Sequence, residues 1–171
     1  ATFAYGRQMG KTLILPVRWN LATAKPVLGT NPTEKLLTNG IRGSLQYSDF
    51  EWCSWADNDS VSFTIDLLKP EMLNTLTLGC ITNNGMAIHK PASVRVEVSD
   101  DNSKFREAVV QSFTSEEIFR EGNFIENLSL KLGGTQARYV RVTAKGPGVC
   151  PASHVRPGQT SRIFFDEVML E

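Results

Sequence analysis

The sequence has no excess of charge of either sign: 18 Lys and Arg side chains balance 18 Asp and Glu over 171 residues. Such a chain sets up no long-range field to gather nucleic acid or an anionic bilayer, so neither is an expected partner. It also lacks any apolar run near the eighteen or so residues of a membrane-crossing helix, and membrane insertion is not expected. Its first residues, ATFAYGRQMGK, lack the pattern of a signal peptide, and the chain reads as a piece of something longer. Cysteine is scarce. Cys53, Cys80 and Cys150 leave at least one thiol unpaired and make no disulfide framework. Cys80 continues the apolar face of Leu76 and Leu78 and reads as a buried thiol. Cys53 and Cys150 fall in irregular stretches, where a bridge between them and two free thiols are both open.

Helical periodicity is missing as well. The segment TSEEIFRE at 114–121 has a helix-like start, with Ser115 before Glu116 and Glu117, and lasts two turns at most. What is present is alternation with period two, the mark of half-buried strands. Val61, Phe63, Ile65 and Leu67 point one way and Ser62, Thr64 and Asp66 the other. The same holds for Leu76, Leu78 and Cys80, for Val94, Val96 and Val98, for Leu128, Leu130 and Leu132, and for Val140 and Val142, before a closing RIFFDEVML. Between these runs lie turn residues: LKPE, NNG, SDDNSKF with Asn102 suited to a left-handed turn, LGG, KGPG and RPGQ. Many short-spaced strands with Gly and Pro loops predict an all-β antiparallel sandwich or jelly roll.

Two loops are long for a compact domain, 38–60 and 144–161, and long loops without regular structure are commonly functional. The first contains WCSWADND, with Trp52 and Trp55. An exposed indole can stack on the apolar face of a sugar ring; a buried one fills core. Asp57 and Asp59 read as turn or rim groups rather than as a glycosidase pair. Asp166 and Glu167, neighbours on a strand, point to opposite faces and cannot act together on one bond. Cys150 and His154 are spaced as half a zinc site, and no Cys-x-x-Cys or His-x-x-x-His completes it, so zinc is not expected. No Gly-x-Ser-x-Gly marks a nucleophile. The loop ITNNGMAIHKP offers Asn83, Asn84 and His89, whose amide and imidazole groups suit hydroxyls; Asn-Asn-Gly is equally a turn. His154 either donates to a sugar hydroxyl or braces its loop. Arg138 and Arg141 read as structural, and Trp19 as packing. Arg156 is the freer cation, suited to a ring oxygen or a carboxylate.

Taken in order, LLTNGIRGS, VSFTIDLLKP, PASVRVEVSDDNSKF, ARYVRVTAKGPG and IFFDEVML resemble the successive landmarks of the coagulation factor V/VIII type C, or discoidin, domain. More narrowly, TNGIRGS followed by a tryptophan pair, and CPASHVRPG ahead of IFFDEV, resemble the C-terminal discoidin-type domain of bacterial family 20 β-N-acetylhexosaminidases, the chitobiases. The resemblance covers residues 25–171. It implies a jelly-roll β-sandwich of the galactose-binding-like class, and residues 1–24 then resemble the tail of a preceding Ig-like module, or a linker. It further implies a non-catalytic carbohydrate-binding module that needs no cofactor, with no catalytic residue of its own, working beside the catalytic domain of an exported, periplasmic or cell-surface enzyme. Its expected ligands are glycans containing N-acetylhexosamine or galactose; the alternative is a structural or protein-interaction module of the same enzyme. On the resemblance Trp52 packs beneath the binding loops and Trp55 is the better platform, with Asn83, Asn84, His89, His154 and Arg156 as further sugar contacts.

This sequence also departs from the family pattern. Its Asp-Gly is Asn39-Gly40, and its Asp-Leu-Gly-Lys-Pro is Asp66-Leu67-Leu68-Lys69-Pro70. Relatives often hold a structural calcium near the loop end, for which Asn39, Ser44 and Glu167 are the candidate oxygen ligands here. A neutral Asn39 is less suited than aspartate to a hard cation, and the plain reading of Asn39-Gly40 is a tight turn.

Overall fold

A computed structural model describes residues 2–8, 11–16, 20–55 and 60–171; Trp19, Asp57 and Asp59 lie outside them. β1 (Thr2–Gln8) and β2 (Lys11–Pro16) form an antiparallel pair. The remaining strands are β3 (Val27–Leu28), β4 (Cys53–Trp55), β5 (Ser60–Asn83), β6 (Ser93–Ser99), β7 (Arg106–Ser112), β8 (Asn123–Lys145) and β9 (Ile163–Leu170). All their pairings are antiparallel. This is a mostly antiparallel β-sandwich.

β5 and β8 run through both layers as one long bent antiparallel pair. The first part of β5, Ser60 to Asp66, pairs with Tyr139 to Lys145, and there β3, β6 and β7 complete a layer. After a register shift the second part pairs with Asn123 to Ala137, and β9 and β4 complete the other layer. The bend lies at Leu68, which sits at φ 71° where the family pattern has glycine, and a second irregularity follows between Leu73 and Thr75, opposite Gly133 and Gly134. Asp66 holds the bend by accepting from Leu68 N at 2.8 Å, and Arg138 grips the same carboxylate through two bonds of 2.8 Å.

The alternating residues read from the sequence form one core. Phe63, Ile65, Leu67, Leu76, Leu78, Cys80, Val94, Val96, Val98, Leu130, Val140 and Val142 are all at 0–1% exposure. Residues 20–22 also pack on the sandwich. Ala22 is fully buried in the core, Leu21 N donates to Leu170 O, and the Asn20 side chain clasps Val168 and Leu170. The one α-helical turn among the described residues, α1 (Ser115–Ile118), is capped by Thr114 rather than opened by Ser115: Glu117 N donates to Thr114 Oγ1, and the Glu117 carboxylate accepts from Thr114 N. Asn102 takes the left-handed turn position at φ 58°. Among the described residues no helix is long and apolar enough to cross a membrane.

Candidate functional site

Four loops meet at one end of the sandwich. The loop after β5 is tied to residues 160–162 by exchanged backbone bonds, His89 N to Arg162 O and Arg162 N to Ala87 O. The connection from β7 to β8, which carries α1, joins through Asn84 N to Gly122 O and Phe113 N to Ala92 O. Loop 38–52 is held by a second apolar cluster of Trp52, Ile81, Ile88 and Phe164, with Tyr47, Met86 and Ile125 at its margin.

Strand parity decides the fate of both tryptophans. Cys53 and Trp55 of β4 face the main core while Ser54 faces out, and Trp52, three residues before Trp55, lies on the other side. Both sides are covered, so Trp52 is 5% and Trp55 7% exposed. Trp52 packs beneath the loops and donates from Nε1 to Ser44 O. Trp55 is no platform: it stacks on Phe63 and meets Phe165 edge-on.

Most of the other expected sugar contacts are turned inward too. Asn83 caps the 3-10 turn Asn84–Met86 by accepting from Met86 N. The Asn84 amide, with its nitrogen toward the chain, donates to Arg120 O and Gly122 O. His89 is fully buried and His154 nearly so, their rings edge to face at 5.0 Å with Phe119 against both. Burial, with His154 beside it, holds the His89 imidazole down at about 4, so it is neutral near pH 7. Only Arg156 stands in solvent, with one bond to Gln159.

The three thiols are free and buried. Cys53 contacts Thr33 Oγ1 and Cys150 contacts Ser161 Oγ, each within its own loop packing, so no bridge joins the two long loops. The expectation that Cys150 and His154 stand without a third ligand also needs correction. His89, 61 residues before Cys150, is brought between the loops, and the ligand atoms of His89, Cys150 and His154 lie within 4.8 Å of one another.

The candidate calcium ligands do not make a cation site. Glu167 and Asp166 instead fasten loop 38–44 to β9. Glu167 accepts from Asn20 Nδ2 and Gly40 N; Asp166 accepts from Arg42 Nε at 2.7 Å and Gly43 N at 3.0 Å. Asn39 Oδ1 accepts from Ile41 N, and Ser44, further along, accepts from Gln46 N and Trp52 Nε1. Every one of these oxygens is aimed at an N–H, and the local cation is the Arg42 guanidinium, a donor set that does not fit calcium. Burial, reinforced by Asp166, raises the Glu167 carboxyl to about 7 against the pull of Gly40, Arg42 and Asn20.

What the end of the sandwich does present is a concavity of about 420 Å³ lined by Ser115, Glu116, Phe119, Arg120, Glu121, Pro151 and Ser153. Phe119 is a half-buried ring among groups that donate and accept hydrogen bonds. The Arg120 guanidinium carbon sits over the Phe124 ring, 3.9 Å from its centroid. The sequence reading missed Phe119 and Arg120 because TSEEIFRE was weighed only as a helix start; an aromatic one position past a capped turn was the available signal.

The F5/8 type C domain family matches residues 22–155. Among solved structures, CpGH89CBM32-6 produced by Clostridium perfringens is similar at 18% identity and TM-score 0.58, over 90% of this chain and 98% of that one. A fucose binding module of Streptococcus pneumoniae is similar at 16% identity and TM-score 0.57, over 89% and 94%. The lectin domain of lectinolysin, complexed with Lewis B antigen, is similar at 15% identity and TM-score 0.56, over 90% and 96%. A search of curated proteins by sequence returns no match. With the family match spanning most of the chain, and the bent two-layer sandwich with its converging loops matching these structures in fold, the chain belongs to the F5/8 type C domain family.

Proposed function

We propose that this domain is a non-catalytic carbohydrate-binding module whose sugar surface is the concavity around Phe119. The observation that carries this reading is a half-buried aromatic ring, flanked by Glu116, Arg120, Glu121 and Ser153, at the loop end of an F5/8 type C sandwich. A sugar's apolar face stacks on such a ring while its hydroxyls bond to charged and hydroxyl groups around it. The fucose binding module and the Lewis B complex, similar in fold, support the same class of ligand. The expected sugars remain N-acetylhexosamine or galactose, with fucose added by these likenesses. The module's contribution is tethering: a weak shallow site raises the effective concentration of glycan near an attached catalytic domain. That partner is proposed, on the sequence resemblance, to be an exported β-N-acetylhexosaminidase, periplasmic or at the cell surface.

Glycan-array screening followed by calorimetric titration with N-acetylglucosamine, N-acetylgalactosamine, galactose and fucose tests the reading. Binding that disappears in Phe119→Ala, with the circular dichroism spectrum unchanged, is the expected result. The inward turn of Trp52, Trp55, His89 and His154 favours the second reading, a structural or protein-interaction module of the same enzyme. Absence of binding to all four sugars at millimolar concentration would decide for it.

A further inference from the structure

We propose that His89, Cys150 and His154 form a zinc site that staples the loop after β5 to loop 146–162. The three side chains are 0%, 3% and 8% exposed, and their ligand atoms lie within 4.8 Å of one another. Nε2 of His154 is buried without a hydrogen-bond partner, and neither ring nitrogen of His89 has a well-formed one, the Ile118 backbone offering only a marginal contact. A buried polar atom left unpaired is costly, and one nitrogen from each imidazole set beside one thiol has a common explanation in a shared partner.

The donor set selects the metal. Two imidazoles and a thiol, with no carboxylate in the group, suit a borderline-soft cation such as zinc and not calcium or magnesium. Zinc holds nitrogen at about 2.0–2.1 Å and sulfur at about 2.3 Å, so the ligand atoms must close by roughly 1 Å. The fourth position falls to water or to Ser161 Oγ, which is 3.3 Å from the sulfur in a residue 5% exposed.

The proton balance is explicit. Zinc displaces the thiol proton of Cys150 to solvent and takes lone pairs from two neutral imidazoles, leaving the centre with a net charge of about +1. His154 Nδ1 accepts from Arg156 N at 3.0 Å, which places the ring hydrogen on Nε2. Ligation through Nε2 moves that hydrogen to Nδ1 and breaks the bond to Arg156. Residues 155–156 therefore shift when metal enters, a signature that a packing role for the cluster does not produce.

The chain is unfolded with chelator and refolded with Zn²⁺, with Co²⁺, or without metal. The expected result is about one metal per chain, a raised Tm, and a cobalt form with tetrahedral visible bands and a thiolate-to-cobalt charge-transfer band. Cys150→Ser should lose the charge-transfer band and weaken affinity by about 100-fold or more. In an amide spectrum of the wild type, Arg156 should move on adding zinc. If Cys150→Ser does not fold, X-ray absorption on the zinc-loaded wild type decides, with one sulfur and two imidazoles expected. Folded protein that takes up only traces of metal, a charge-transfer band retained in Cys150→Ser, or a sulfur-free absorption spectrum would each overturn the proposal.

Discussion

Glu167 gives the sharpest quantitative test of how the loop end is fastened. Its carboxyl is 2% exposed and held at about 7, against an ordinary value of 4.5. Between those values the folded chain retains a proton that the unfolded chain has released, so stability falls as pH rises through this window. The slope approaches about 1.4 kcal/mol per pH unit, and the difference between 7 and 4.5 gives about 3 kcal/mol from pH 5 to pH 8. Glu167→Gln mimics the protonated carboxyl and cannot ionise. Urea denaturation of both proteins from about pH 5 to about pH 8 isolates the effect, because other titrating groups cancel in the difference. The wild type should lose about 3 kcal/mol relative to the variant across that range. A pH-independent difference, or one that moves in favour of the wild type toward pH 8, would refute the reasoning and show that the N–H donors of Asn20 and Gly40 outweigh burial.

Millimolar calcium should leave Tm unchanged beyond an ionic-strength control, since the oxygens of Asn39, Ser44 and Glu167 are already committed to N–H donors; a calcium-specific rise in a thermal melt would contradict that. Trp55→Ala should cost about 3–5 kcal/mol in a denaturant melt, as a buried aromatic removed from the core. A variant of unchanged stability that loses sugar binding would restore Trp55 as a platform. Leu68→Gly should be tolerated while Leu68→Val costs on the order of 1 kcal/mol, because φ 71° is worst for a β-branched side chain; equal stabilities would show the bend has no such preference.

The fold was legible in the sequence because alternation carries it. Val61 to Leu67, Leu76 to Cys80 and Val94 to Val98 each show which face is buried, and the structure buries those faces. Even the departure at Leu68 marked a real position, the bend where β5 passes between layers. The site was legible only in part, for a physical reason. Side chains that suit a sugar also suit the interior of a loop cluster, and the outcome depends on which loops meet. Asn83 and Asn84 satisfy backbone groups, and His89 meets a histidine 65 residues later, a proximity no local spacing encodes. Trp55 was misread for the same reason, since its two-residue offset from Cys53 fixes it to the core side of β4 only once that strand is seen to pair with β9.

Asn20 clasps the far end of β9, where Leu21 N meets Leu170 O. Eight residues of β9, at about 3.3 Å each, put that clasp roughly 25 Å from the loop end. Residues 20–21 and the end of β9 are thus neighbours on the pole opposite Phe119. A short covalent bridge from residue 171 to residue 20, with the chain opened instead at the Asp100–Lys104 turn, would give a circular permutant with the same hydrogen-bonded frame and its concavity unobstructed.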